Sequence, residues 1–276
     1  MNRFNISRLG LALGLVSLAL LGGCNQTGSA EEGIEVSTGA VNERSGATAK
    51  HEADPTTQTF NRADGRQIDL QKGFLNLLPF ELEPCGVALQ LYPLDWLLPR
   101  AQAHAGEEHG GVDGADGAII DVSMADGTRW ELGEFSPPAG KYCGLRVALV
   151  PVTSATAAPD AVDMSGSGLY AAPCYFYDSP ADPSRHYCFK LNVAGGSDDA
   201  VLVFDRPLVL DSQRKEAAVT IKVLYDRWFD GLNLDGYPAD GTAEEKAAFK
   251  AALQADEELK ARFRANVLAS LSASWE

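Results

Sequence analysis

Lys141-Tyr142-Cys143-Gly144-Leu145-Arg146-Val147-Ala148-Leu149-Val150-Pro151-Val152 reads as a β-strand. Apolar and polar or small side chains alternate along it, so that Tyr142, Val147 and Leu149 can face a core. Ser136-Pro137-Pro138-Ala139-Gly140 is a turn before it, and Asp160 to Gly168 is a polar loop after it. Similar short runs recur on both sides.

Upstream, Gln58–Asn61 and Gln67–Leu70 flank Ala63-Asp64-Gly65-Arg66, a hairpin signal. Phe74 to Leu91 is extended but carries Pro79 and Pro84, which argue for an edge, a bulge or a break. Leu94 to Leu98, between Pro93 and Pro99, is too short for a full helix and suits a packed turn. Ala118–Met124 and Thr128–Leu132 are joined by Asp126-Gly127. Downstream follow Leu169–Tyr177, His186–Val193, Val201–Phe204, Leu208–Leu210 and Ala217–Tyr225. About ten short strands separated by turns predict a mainly β protein, an antiparallel β-sandwich of Ig-like or similar type.

The C-terminus changes period. Thr242 and Glu245 form a capping box, and Phe249 and Leu253 share one helical face. Asp256 caps a second helix in which Leu259, Phe263, Val267 and Leu271 recur every four residues. A short helical hairpin packed on the sheets is expected.

The N-terminus is different again. Arg3 and Arg8 precede an apolar run, Leu9 to Leu21, which is shorter than the roughly 20 residues a spanning helix needs. Leu21-Gly22-Gly23-Cys24 resembles the lipobox of bacterial lipoproteins. The resemblance implies a signal peptide over 1–23, acylation of Cys24 and an envelope location. Asn25, which is not Asp, implies the outer membrane of a Gram-negative bacterium. Residues 24–55 are rich in Gly, Ser, Thr, Ala and Glu and poor in large apolar side chains. They are expected to be a lipidated flexible linker with a reach of about 30 Å. The β-sandwich domain with its C-terminal helices then occupies 56–276.

The chain has 23 Lys plus Arg against 38 Asp plus Glu, a formal charge of −15. Loss of Arg3 and Arg8 with a signal peptide would take this to about −17. An acidic surface excludes nucleic acid as an expected partner, since phosphates require Lys and Arg. The expected partners are the membrane, through the N-terminal lipid, and an envelope protein.

Of five cysteines, Cys24 is assigned to lipid. The remaining four in an exported chain predict two disulfides, with three connectivities open. Cys174–Cys188 would close a local excursion with Asp178, Pro180 and Pro183 at its tip, and Cys85–Cys143 would link two strand-like segments. That pairing is the expectation. A four-thiolate metal site is disfavoured because no C-x-x-C pair exists.

Chemistry concentrates in two stretches. His104, Glu107, Glu108, His109, Asp113 and Asp116 place two imidazoles and four carboxylates in a Gly-rich run. That donor set suits Cu or Zn, although the spacing is not H-E-x-x-H. Asp230, Asn233, Asp235 and Asp240 offer oxygens for calcium, but the frame is not an EF-hand, and turn chemistry explains the same residues. Ser165-Gly166-Ser167-Gly168 lacks the G-x-S-x-G frame and reads as a turn. No nucleotide loop is present, so an enzyme is not expected.

Leu132-Gly133-Glu134, Pro138-Ala139-Gly140-Lys141-Tyr142 and the strand after them resemble a group of uncharacterised all-β bacterial lipoproteins. More distantly they resemble the periplasmic copper-associated partners of methanobactin uptake. That resemblance implies a β-sandwich with a metal connection and carries no ligand residue over. The functional expectation is a lipid-anchored binding module, with a divalent transition metal at the His/acid-rich stretch. The alternative is a structural or interaction lipoprotein that docks an envelope partner.

Overall fold

A computed structural model describes residues 33–45, 57–86, 117–153, 162–177, 185–196 and 199–276. The strands are β1 (Glu35–Glu43), β2 (Gln58–Asn61), β3 (Gln67–Pro84), β4 (Ala118–Asp121), β5 (Arg129–Phe135), β6 (Gly140–Leu149), β7 (Ser167–Phe176), β8 (His186–Cys188), β9 (Leu191–Ala194), β10 (Asp199–Leu210), β11 (Glu216–Leu224) and β12 (Leu271–Trp275). Helices α1 (Ala243–Ala255) and α2 (Glu257–Ala269) lie between β11 and β12. A four-stranded sheet runs β12-β11-β1-β5, and a larger one runs β10-β6-β3-β7-β8, with β2 and β4 also on β3 and β9 on β7. Neither closes into a barrel, and a sandwich-like arrangement fits. Antiparallel pairing dominates; β1 against β11 is parallel.

One core joins the sheets. Val36, Ala40, Phe135, Val219 and Ile221 from the smaller sheet share it with Ile68, Leu75, Leu145, Val147 and Leu169 from the larger. Burying a Leu, Ile, Val or Phe side chain stabilises by about 1.5–3 kcal/mol, so this cluster is the main term opposing chain entropy.

The central strand β3 explains how Pro79 is tolerated. Its core-facing positions are Ile68 and Leu70, then Leu75 and Leu77, then Leu82. The parity changes twice. The first change coincides with a register shift between Leu70 and Lys72 against β7. The second coincides with a shift at Pro79/Glu81 against β6. Each bulge adds one residue and turns the following side chains to the other face. A proline without an N–H therefore sits at a bulge inside the sheet. The strand β6 switches phase too, from Tyr142 to Leu145 and Val147, where its register against β3 slips between Glu83 and Pro84. Gly73 faces inward where a Cβ would come within 2.7 Å of Val122 Cγ2, so only a bare backbone fits.

Several expectations are corrected. Residues 35–43 are not linker but β1, the inner strand between β11 and β5. Few large side chains are needed there, because Ile34 and Val36 fill the core while Thr38 is buried and donates to Gly133 O at 2.8 Å. Leu271 does not extend the α2 stripe. Ser270 ends that helix, and Leu271 begins β12, paired with Val223. Val201–Phe204 and Leu208–Leu210 are one strand, β10, bulged between Val203 and Leu208. His186–Val193 divides into β8 and β9, which lie end to end along β7. The division falls beside Pro173, which has no N–H to offer, although its carbonyl still accepts from Phe189 N at 3.1 Å. Asp126-Gly127 turns as expected, with φ +84° at Gly127, but makes no hairpin: β4 pairs with β3 and β5 with β1, so the turn moves the chain between sheets.

Other expectations hold. The pair β2–β3 forms the hairpin at Asp64-Gly65, with Gly65 at φ +81°. Both disulfides form as expected. Cys174 and Cys188 are directly opposite on β7 and β8, and Cys85–Cys143 ties the end of β3 to β6. The capping box is complete, with Thr242 N donating to Glu245 Oε2 at 2.8 Å and Glu245 N to Thr242 Oγ1 at 3.2 Å. Leu259 N donates to Asp256 Oδ1 at 3.0 Å, and Leu259, Phe263 and Val267 are buried.

Candidate functional site

The two stretches singled out for chemistry have different outcomes. His104, Glu107, Glu108, His109, Asp113 and Asp116 lie outside the described residues, as do Cys24 and Leu94–Leu98. The Asp226–Asp240 segment is described, and the carboxylates of Asp226, Asp230 and Asp235 serve tertiary contacts. Asp230 Oδ1 accepts from Ala63 N at 2.9 Å. Asp235 accepts from the Tyr175 hydroxyl at 2.9 Å and pairs with Arg66, whose Nη1 also donates to that hydroxyl at 2.7 Å. Asn233 Oδ1 accepts from Asp235 N, as Asx turns do. The carboxylates of Asp230, Asp235 and Asp240 do not converge within 4.8 Å. The arrangement fastens this segment to the β2–β3 turn. Trp228 and Phe229 within it are fully buried and meet Phe263 at 5.9 and 5.3 Å between ring centroids.

The buried tyrosines of this region are held neutral. Burial, and next the Asp235 hydrogen bond, push Tyr175 up to about 12. Burial raises Tyr187 further, under the stacked ring of Tyr237 at 4.4 Å. Its hydroxyl donates to Leu234 O. Arg62, 7% exposed, lies 5.4 Å from the Tyr175 ring and donates to Leu232 O at 2.8 Å.

A second polar network locks β1 in place. Arg44 Nε donates to the Tyr225 hydroxyl at 2.6 Å, and Arg44 Nη2 to Gln58 Oε1 at 2.7 Å. Asp126 lies 3.0 Å from the guanidinium. Ser45 N and Oγ donate to the buried Asp226 at 3.0 and 2.6 Å. Burial and the Asp126 contact raise Tyr225. The partners are up to 181 residues apart in sequence, so no local pattern announces them.

Among the described residues, one group of His, Cys and acidic side chains brings its ligand atoms within 4.8 Å: Cys174, His186 and Cys188. Its two sulfurs are bonded to each other. A metal needs thiolates, and a disulfide offers none. The His186 ring stacks on Phe176 at 5.1 Å, in the next cross-strand pair on the same face. The group is a staple on the outer face of β7–β8. The Ser165–Gly168 stretch is the turn expected, with Ser165 N on Asp163 Oδ1 at 3.0 Å and Gly166 at φ +76°.

Comparison of the chain with family models, with curated proteins and with solved structures gave no match.

Proposed function

We propose that this chain is a lipid-anchored binding module of the bacterial envelope. The observation that carries the reading is the cysteine arithmetic. Four of the five cysteines pair as two disulfides, so Cys24, in Leu21-Gly22-Gly23-Cys24, has no cysteine left to bond. Disulfides belong to oxidising compartments, and a lone cysteine after small residues is where a lipid is attached. Expression with labelled palmitate tests this. The wild type should carry label in the outer-membrane fraction, and Cys24→Ser should lose both label and membrane association. An unlabelled, soluble wild type would refute it.

The ligand proposed is a divalent transition metal, Cu²⁺ or Zn²⁺, held by His104 and His109 with carboxylates from Glu107, Glu108, Asp113 and Asp116. Its support is the donor set and the acidic charge of −15, which attracts cations. Titration of the chain from Gln26 onward should show binding that His104→Ala with His109→Ala abolishes. Equal binding by that variant and wild type ends the metal reading.

The second reading is an interaction lipoprotein that docks an envelope protein. It is favoured by Val201, Val203 and Val209, exposed at 42%, 71% and 42% on β10. An exposed apolar row marks interaction surfaces. Cross-linking from Val203 in intact envelopes should capture one discrete partner, and a wild-type pattern after Val203→Lys would count against it.

A further inference from the structure

The strands β7 and β8 carry three donors that the disulfide holds closed. Their hydrogen bonds fix which side chains stand together. Phe189 N donates to Pro173 O at 3.1 Å, and Tyr177 N to Arg185 O at 3.4 Å. Pro173 and Tyr177 are therefore in hydrogen-bonded pairs. Cys174↔Cys188 and Phe176↔His186, which lie between them, are non-hydrogen-bonded pairs, where opposed side chains stand closest. Side chains two apart on a strand share a face. Cys174, Phe176, His186 and Cys188 thus share the outer face, while Tyr175 and Tyr187 point the other way into the core.

One imidazole nitrogen of His186 and the two sulfurs lie within 4.8 Å of one another, the one such group among the described residues. Phe176 stacks on the face of the imidazole, with 28° between the ring planes. That contact fixes the plane of the ring, and the nitrogens lie in its edge. His186 is exposed, Cys188 half-buried and Cys174 3% exposed, so a reagent from solvent meets Cys188 first. Around a tetrahedral Zn²⁺, with Zn–S of about 2.3 Å and Zn–N of about 2.0 Å, ligand atoms stand about 3.5–3.8 Å apart. Heavy atoms in non-bonded contact stand at about the same distance, 3.5–4.0 Å. Two sulfurs released from their bond, on directly opposed residues, therefore settle at the spacing the metal needs.

We infer that reduction of Cys174–Cys188 opens a Zn²⁺ site made by Cys174, His186 and Cys188, so that this face of β7–β8 binds metal in its dithiol state and not in its disulfide state. The reductant is a dithiol. One of its thiolates attacks Cys188 Sγ, the bond between the cysteines breaks, and Cys174 leaves as the thiolate. The second thiolate of the reductant then attacks its own sulfur in the mixed disulfide, and Cys188 leaves in turn. Two electrons pass to the protein, and the two protons of the dithiol end on Cys174 and Cys188. Zn²⁺ displaces those protons to solvent and takes the imidazole as its third ligand, with water in the fourth position. The site is independent of the His104–Asp116 stretch, so failure of the metal reading there leaves it standing.

The exported chain carrying Cys24→Ser, His104→Ala and His109→Ala is reduced with dithiothreitol, freed of reductant under nitrogen and titrated with Co²⁺. Thiolate ligation appears as a sulfur-to-cobalt absorption, which added Zn²⁺ should abolish. The reduced chain should bind one equivalent with that absorption, and the oxidised chain none. Cys174→Ser with Cys188→Ser, shown to be folded by circular dichroism, should lose the signal. His186→Ala keeps both cysteines and should weaken binding more than about 100-fold, beyond the 10–100-fold that changes around a ligand cost. A reduced chain without the absorption, or one that loses its near-ultraviolet dichroism on reduction, overturns the inference. So does a signal that survives replacement of Cys174 and Cys188, or an affinity unaltered by His186→Ala.

Discussion

Substituting Ile34 and Val36 by alanine separates a linker from a structural strand. Ile34 is 1% exposed and Val36 fully buried, facing the core between Phe135 of β5 and Ala217 of β11. Ile→Ala in a core costs about 2–5 kcal/mol. The smaller Val→Ala removes about two methylene equivalents, or about 1.6 kcal/mol at 0.8 each, before any cavity term. The two sites are neighbours and do not add strictly, so the double variant should lose about 3–6 kcal/mol. Against a total stability of about 5–15 kcal/mol, that is a large fraction. A linker would predict a change within about 0.5 kcal/mol, as for ordinary surface sites. The assay is urea denaturation of the chain from Gln26 onward, followed by tryptophan fluorescence, with exposed Glu35→Ala as control. A double variant whose stability matches the control's to within about 0.5 kcal/mol would refute the placement of β1.

Alkaline titration should unfold the protein. Tyr175, Tyr187 and Tyr225 all titrate above the ordinary value of 10 when folded, so their contribution to stability is complete below pH 10 and is lost as pH rises towards and beyond about 12. Phenolate absorbance and loss of near-ultraviolet dichroism should then rise together, and eight tyrosines ionising near pH 10 in a folded chain would contradict this. The disulfides close loops separated by 58 and 14 residues. On chain-entropy grounds Cys85→Ser with Cys143→Ser should lose about 4 kcal/mol and Cys174→Ser with Cys188→Ser about 3 kcal/mol, an order that denaturant midpoints check. Thr242→Ala removes one half of the capping box and should cost about 1 kcal/mol, with faster amide exchange confined to the first turn of α1.

Local chemistry was legible in the sequence. Asp64-Gly65 marked its hairpin, Thr242 and Glu245 their cap, and the parity of four cysteines two disulfides. Strand positions were visible wherever alternation survived. What escaped depends on distant partners. The strand β1 is built of small residues because it lies between two others, and its parallel partner β11 begins at Glu216. Nothing near Glu35 reports that. Pro79 pointed to an edge, a bulge or a break, and the bulge is what permits a central position. The same kind of slip occurs at Gln71, between Leu70 and Lys72 against β7, and a slip is visible only against a neighbouring strand. Asp235 was legible as an oxygen donor but not as the partner of Arg66 and Tyr175, which come from two other strands or turns.

The position of β1 has a mechanical meaning. With Cys24 acylated, about ten residues separate the lipid from Ile34, a contour of at most roughly 35 Å, so the domain would be held close to the bilayer on a short leash. Any drag on the domain would enter through Glu35. There the chain becomes a nine-residue strand bonded to β11 on one side and β5 on the other. Tension along such a strand loads its rungs together, in shear, rather than peeling them one at a time. A leash at Cys24 would therefore be fastened where the sheet resists being pulled apart.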